Sequence, residues 1–134
     1  MALQATLKLE GKSYDVQDLN YELYKPYDNN YKPSAAPQGG TVNFTILSPM
    51  DTNLVFHDWL LNSEQIVKSG IFLLPLTHGI KHVEKELKFE LAHCVRVQEY
   101  YSNGASQMYL QITISATVIK FGPGVEFRNR DFPG

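Results

Sequence analysis

The chain has 134 residues, with 12 lysines and arginines against 14 aspartates and glutamates and a pI near 6.0. At 43% hydrophobic and 19% charged, the composition is that of one globular domain with a proper core, and it lacks the basic excess that nucleic acid would require. The single cysteine, Cys94, excludes an intrachain disulfide and fits a reducing compartment.

The opening MALQATLKLEG has no basic stretch ahead of an unbroken apolar run, so no signal peptide is expected. No segment approaches the ~18 apolar residues of a membrane span, and the expected protein starts out soluble in the cytoplasm, without stable membrane insertion. Leu3, Ala5, Leu7 and Leu9 share one face of a half-buried strand, and Gly11-Lys12 suits a tight turn. The alternation resumes at Tyr14 and Val16 and continues at Leu19, Tyr21 and Leu23. Its change of phase near Gln17-Asp18 predicts a bulge.

A loop from Lys25 to Gly40 follows, KPYDNNYKPSAAPQGG. Structureless loops beyond ~12–15 residues are uncommon unless functional or disordered, so this one asks for a role. Next comes TVNFTILS, with Val42, Phe44 and Ile46 on one face and Thr41, Asn43 and Thr45 on the other. The period then becomes helical. Asp51 or Thr52 suits the cap, and Val55, Phe56, Trp59 and Leu60 form the core stripe. Leu54 and Leu61, spaced i to i+7, form a second apolar side suited to a neighbour.

GIFLLPL reads as a short strand whose Pro75 belongs at an edge or bulge. Leu87, Phe89 and Leu91 alternate along another strand, and Asn103-Gly104 marks a hairpin. The clearest strand is MYLQITISATVIKFG. Leu110, Ile112, Ile114, Ala116 and Val118 face the core, and Gln111, Thr113, Ser115 and Thr117 face away. The tail from 122 to 134 shows no period. The sum is about six strands and one helix, a mainly β antiparallel barrel or sandwich with one α-helix packed on it.

Catalytic and metal motifs do not assemble. His78 and His82 have i,i+4 spacing but Gly79 between them and no helical pattern, so no metal site is expected. His93 and Cys94 are neighbours in a strand and point to opposite faces, which argues against a dyad and for a buried free thiol. Gly39-Gly40 is followed by no Gly-Lys-Ser/Thr, so it is no phosphate loop. No enzyme and no cofactor is expected.

Five segments together resemble the haemolysin-coregulated protein (Hcp) family, in a divergent branch: LKLEGKSYDVQDLNYEL, YKPSAAPQGGTVNFTI, DTNLVFHDWLLNS, KELKFELAHCVRVQEYYSNG and LQITISATVIKFG. Lys32 and Gln38 stand where that branch tends to carry arginine, and the tail after Gly122 does not match closely. The resemblance implies a single tail-tube domain over 1–134 and a structural role. Members form six-membered rings that stack into the inner tube of type VI secretion. A contractile sheath expels the tube, so the protein moves from cytoplasm to exterior, with spike and baseplate proteins as partners and secreted effectors riding in the lumen.

On that reading Tyr24, Tyr27, Tyr31, Lys32, Pro33 and Gln38 belong to a ring-stacking loop, and tyrosine and proline supply contact area at low entropic cost. Leu54 and Leu61 belong to the subunit interface. Either polar strand face, Thr41, Asn43 and Thr45 or Gln111, Thr113, Ser115 and Thr117, suits a wettable lumen wall. Two alternatives stay open: the tail-tube protein of another contractile, phage-like particle, and a small-ligand-binding β-barrel.

Overall fold

The computed structural model describes residues 4–30, 32, 38–49, 54–62 and 67–129. Seven strands and one helix run in the order β1 (Ala5–Leu9), β2 (Lys12–Tyr24), β3 (Gln38–Leu47), α1 (Val55–Leu61), β4 (Lys68–His78), β5 (Lys81–Ser102), β6 (Gln107–Gly122) and β7 (Val125–Arg128). Every pairing is antiparallel. β1–β2–β3 and β4–β5–β6 are two meanders. They join along β1–β4 and again along β3–β6, which closes a six-stranded barrel. β7 adds to β6 beyond the point where β3 leaves it.

The alternation seen in sequence is what fills this barrel. Leu7, Leu9, Val16, Val42, Phe44, Ile46, Leu110, Ile112 and Ile114 are all buried. α1 crosses the end of the barrel at which β3 finishes and β4 begins. Its Phe56 meets Tyr14 edge-on at 5.1 Å between ring centroids, and Phe44 continues the aromatic chain to Phe72 at 5.0 Å. Trp59 is 1% exposed. Lys68, at the start of β4, lies 5.9 Å above the Trp59 ring and ion-pairs with Glu10 in the β1–β2 turn, tying three elements together.

The strand directions give the barrel two unlike ends. The helix end carries α1, the Glu10-Gly11 turn and the 103–106 turn; the loop end carries residues 25–30 and the β4–β5 and β6–β7 turns.

Several elements differ from their sequence reading. The first turn is Glu10-Gly11, one residue earlier than expected, with φ of 52° and 79°, both positive as a twisted two-residue hairpin requires. The long loop is shorter than expected, because Gln38 and Gly39 already pair with Tyr24 and Leu23. The Asn103-Gly104 hairpin has a four-residue turn, 103–106. The tail holds β7, whose Phe127 is buried; Pro123-Gly124, with Gly124 at φ 74°, supplies the turn. Leu91 faces outward rather than into the core. Its φ is 53°, its amide donates to Ser69 Oγ and its carbonyl accepts from Thr117 Oγ1. The burial phase of β5 flips there, to Ala92 and Cys94. The bulge at Gln17 stands as read, between Val16 and Asp18. Pro75 lies beyond the last β1 partner of β4, Leu73, where no ladder bond on that side is lost. Leu54 occupies the N-cap position of α1 without a side-chain cap, and Asp51, Thr52 and Leu3 lie outside the described residues.

Two glycines separate strain from crowding. A Cβ on Gly40 (φ 91°) would meet the Ala116 carbonyl oxygen at 2.8 Å and the Phe127 ring at 2.9 Å, whereas one on Gly79 (φ 61°) would meet nothing. In urea unfolding, Gly79→Ala is expected to cost about 1 kcal/mol from backbone conformation alone. Gly40→Ala is expected to cost about 3 kcal/mol, because β3, β6 and β7 must also move apart.

Candidate functional site

The β3–β6 register puts the two polar strand faces together. Thr41 lies opposite Ser115, Asn43 opposite Thr113 and Thr45 opposite Gln111. Directly paired residues point to the same side of a sheet, so the two candidate walls are one surface. It continues onto both flanking strands. One row runs Asn20, Asn43, Thr113 and Arg96 across β2, β3, β6 and β5; the next runs Asp18, Thr45, Gln111 and Gln98.

Hydrogen bonds lock the middle of this face. Thr113 Oγ1 donates to Asn43 Oδ1 at 2.7 Å, and Asn43 Nδ2 donates to Asn20 Oδ1 at 3.0 Å. Arg96 Nη2 donates to Gln98 Oε1 at 2.8 Å. The centre is thus neutral and cross-linked by side-chain hydrogen bonds, with Asp18 on one flank and Arg96 on the other, around a recess of about 210 Å³. Thr117 is set apart from the open face: it is buried, and its hydroxyl is spent on Leu91. Thr45 is also buried, at 7% exposure.

The four strands of this face have two further edges. Among the described residues, β2 beyond Val16 is paired only on the β3 side, and β5 beyond Ala92 only on the β6 side. α1 packs against β5 there, where His57 Nε2 lies 3.4 Å from Glu99 Oε1.

The loop residues gather at the loop end. Tyr24 closes the β2–β3 ladder opposite Gln38, and Tyr27 is 66% exposed. Asp28 folds the next turn: its Oδ1 accepts from the amides of Asn30 at 2.8 Å and Lys32 at 3.0 Å. Tyr31 and Pro33 lie outside the described residues. Leu54 and Leu61 are exposed on α1, at the other end. His78 and His82 flank the β4–β5 turn, with His82 Nδ1 3.3 Å from Thr77 Oγ1. Sequence reasoning missed the flanking Asp18 and Arg96, because strand order was needed to place them. It also missed the apolar β4–β5 apex, for which the exposed Ile80 after Gly79 was the available signal.

The comparisons agree with this architecture. Residues 1–130 match the profile of the family described as hemolysin coregulated protein Hcp (TssD). The fold is similar to a solved Hcp1 from Flavobacterium johnsoniae, with 25% identity, a TM-score of 0.76, and 95% of this chain and 100% of that one covered. It is also similar to a crystallised Hcp protein at 12% identity and TM-score 0.71, covering 96% of this chain and 99% of that one. A tryptophan double mutant of Hcp1 from the E. coli EAEC 042 pathovar gives 17% identity and TM-score 0.70, with 96% and 98% covered. Comparison with curated protein sequences gives no match.

Cys94 lies behind the polar face, and burial pushes its thiol up to about 11, against a weaker opposing effect of a hydrogen bond with the Arg96 backbone. The thiol is therefore protonated at neutral pH. Native protein at pH 8 is expected to resist alkylation by a bulky maleimide for hours and to react within minutes in 8 M urea, as a timed mass measurement will show.

Proposed function

The chain belongs to the Hcp (TssD) family, the tube protein of type VI secretion, and on that premise we propose that it forms six-membered rings stacked into a tube, with the β2–β3–β6–β5 face lining the lumen. The observation that carries the lumen assignment is the β3–β6 register, which merges two uncharged polar faces into one. A wall that lets cargo slide must be wetted yet hold nothing strongly. Uncharged amides and hydroxyls, three of them bonded to one another, meet both conditions, since they hydrogen-bond water yet carry no charge to hold cargo.

The ring reading draws support from the one-sided edges of β2 and β5. Unpaired edges invite another chain, and a closed cyclic assembly satisfies them without leaving a template for aggregation. The two edges differ, so the contact is heterologous, and Asp18 near one edge is complementary to Arg96 near the other. Leu61 covers part of the same boundary from α1, while Leu54 lines a groove at the helix end. The loop 25–37, with Tyr24 and Tyr27 at its base, reaches the next ring; Tyr31, Lys32, Pro33 and Gln38 belong to that contact. Sheath, spike and baseplate proteins are the partners of the assembled tube, effectors its cargo, and expulsion carries it out of the cell. The ligand-barrel alternative loses ground because Phe44, Phe56, Phe72 and Phe89 fill the barrel interior.

Light scattering after size exclusion tests the ring. Six protomers of 15.2 kDa correspond to about 91 kDa. A species that stays monomeric at millimolar protein overturns the reading. In tubes, a cysteine introduced by Thr113→Cys is expected to be shielded from a bulky maleimide at least about tenfold relative to the same variant held as monomer, whereas equal reactivity places this face outside. Deletion of 27–34 is expected to abolish tubes and leave ring mass unchanged, as negative-stain images and the same scattering profile will show.

A further inference from the structure

The β4–β5 hairpin carries an apolar tip that the fold itself leaves unused. β1 pairs with β4 only as far as Leu73, and Leu74 still packs against the core, so the hairpin from Pro75 projects past the barrel. Four residues from Pro75 to His78 correspond to roughly 13 Å of strand. At the apex Ile80 is 97% exposed, and Leu76 and Val83, paired across the two strands, are 49% and 46% exposed. A β-branched apolar residue at the point of a tight turn gives nothing to the hairpin, because turns favour glycine, asparagine and aspartate. The segment from Thr77 to Val83 carries Lys81, His78 and His82 and no acid.

The opposite end of the same barrel holds a matching feature. A groove of about 900 Å³ runs between α1, the start of β2 and the β5–β6 hairpin. Its apolar lining includes Tyr14, Leu47, Pro49, Leu54 and Met108; its ionisable lining is Asp15, Glu99, Lys12 and His57, with His57 3.4 Å from Glu99. The projection is thus apolar with a basic rim, and the groove is apolar with the Asp15 carboxylate open to a cation beside the His57–Glu99 pair. They sit at opposite ends, so no protomer fills its own groove, and each protomer carries one of each.

We propose that the β4–β5 apex of one protomer seats in the helix-end groove of a second copy in the next ring, as a stacking contact separate from the 25–37 loop. Ile80 enters the groove between Leu54 and Met108, and Lys81 meets Asp15. The contact is heterologous and propagates along one axis, which gives the stack a direction. The inference rests on the ring reading, and the experiment keeps the two apart. Ring mass is measured first for the native chain; absence of any ring overturns that reading and this one with it.

Where rings form, Ile80→Asp and Met108→Asp are each expected to keep the native ring mass and raise the protein concentration needed for tubes at least about tenfold. A photo-crosslinking amino acid at position 80 is expected to yield, in tubes only, adducts on Leu54, Met108 or Tyr14 of another copy, identified by mass spectrometry. Tubes forming at the native concentration in both variants, or adducts confined to residues away from the groove, overturn the proposal.

Discussion

The pairing of Thr41–Leu47 with Tyr109–Ser115 is the constraint on which the rest of the molecule depends. Without it the two meanders form an open sheet joined only by the short β1–β4 ladder, and the apolar faces of β3 and β6 have nothing to enclose. With it, Val42, Phe44, Ile46, Ile112 and Ile114 turn inward together. The same register obliges Asn43 and Thr113 to turn outward together. One set of backbone bonds therefore fixes both the core and the polar face. A slip of one residue would exchange the two, exposing the isoleucines and burying the amides, so the register is held by hydrophobic burial as well as by hydrogen bonds. Gly40 marks the limit of the seam, since only a residue without a Cβ lets β3 give way to β7 against Ala116 and Phe127.

Departures from regular pairing decide which strand parts are free. The bulge at Gln17 turns β2 away from β1 and into its one-sided run with β3. On the other flank, Leu91 in its left-handed conformation ends the regular β4–β5 ladder and starts the one-sided run of β5. A left-handed leucine costs on the order of 1–2 kcal/mol, and the bonds from Ser69 and Thr117 to its backbone offset part of that. The strain sits where the barrel hands over to the four-stranded face. Bulges at such places re-aim strands rather than mark defects.

The sequence made the strand faces legible because alternation is a local property. Leu110 to Ala116 and Val42 to Phe44 read as they stand in the structure, and so does the buried stripe of Phe56 and Trp59 on α1, whereas Thr45 and Thr117 are buried. The bulge at Gln17 was legible because it breaks that local period. The β3–β6 partnership was not, since partners some seventy residues apart leave no mark in either strand alone. Hence two separate polar faces were read where the register makes one. Leu91 was misread because its apolar character fits the alternation while its φ of 53° turns the side chain outward. β7 was missed because four residues are too few to show a period, although Pro123-Gly124 announced the turn before it. The charges on the wall's flanks, Asp18 and Arg96, acquire meaning only from strand order.

A protomer built this way is asymmetric in two directions at once. Around the proposed ring it offers an edge bearing Asp18 on one side and an edge bearing Arg96 on the other, so like edges repel and unlike edges attract. Along the proposed tube it offers loops at one end and a helix-lined groove at the other. A two-fold dimer would pair each feature with its own copy and leave both complementarities unused. Heterologous contacts use both, and one of them must close while the other must not. Closure follows when the rotation per subunit returns to the start. Along the proposed axis translation would dominate and nothing return, so a chain that closes such a ring would leave its stack open to grow.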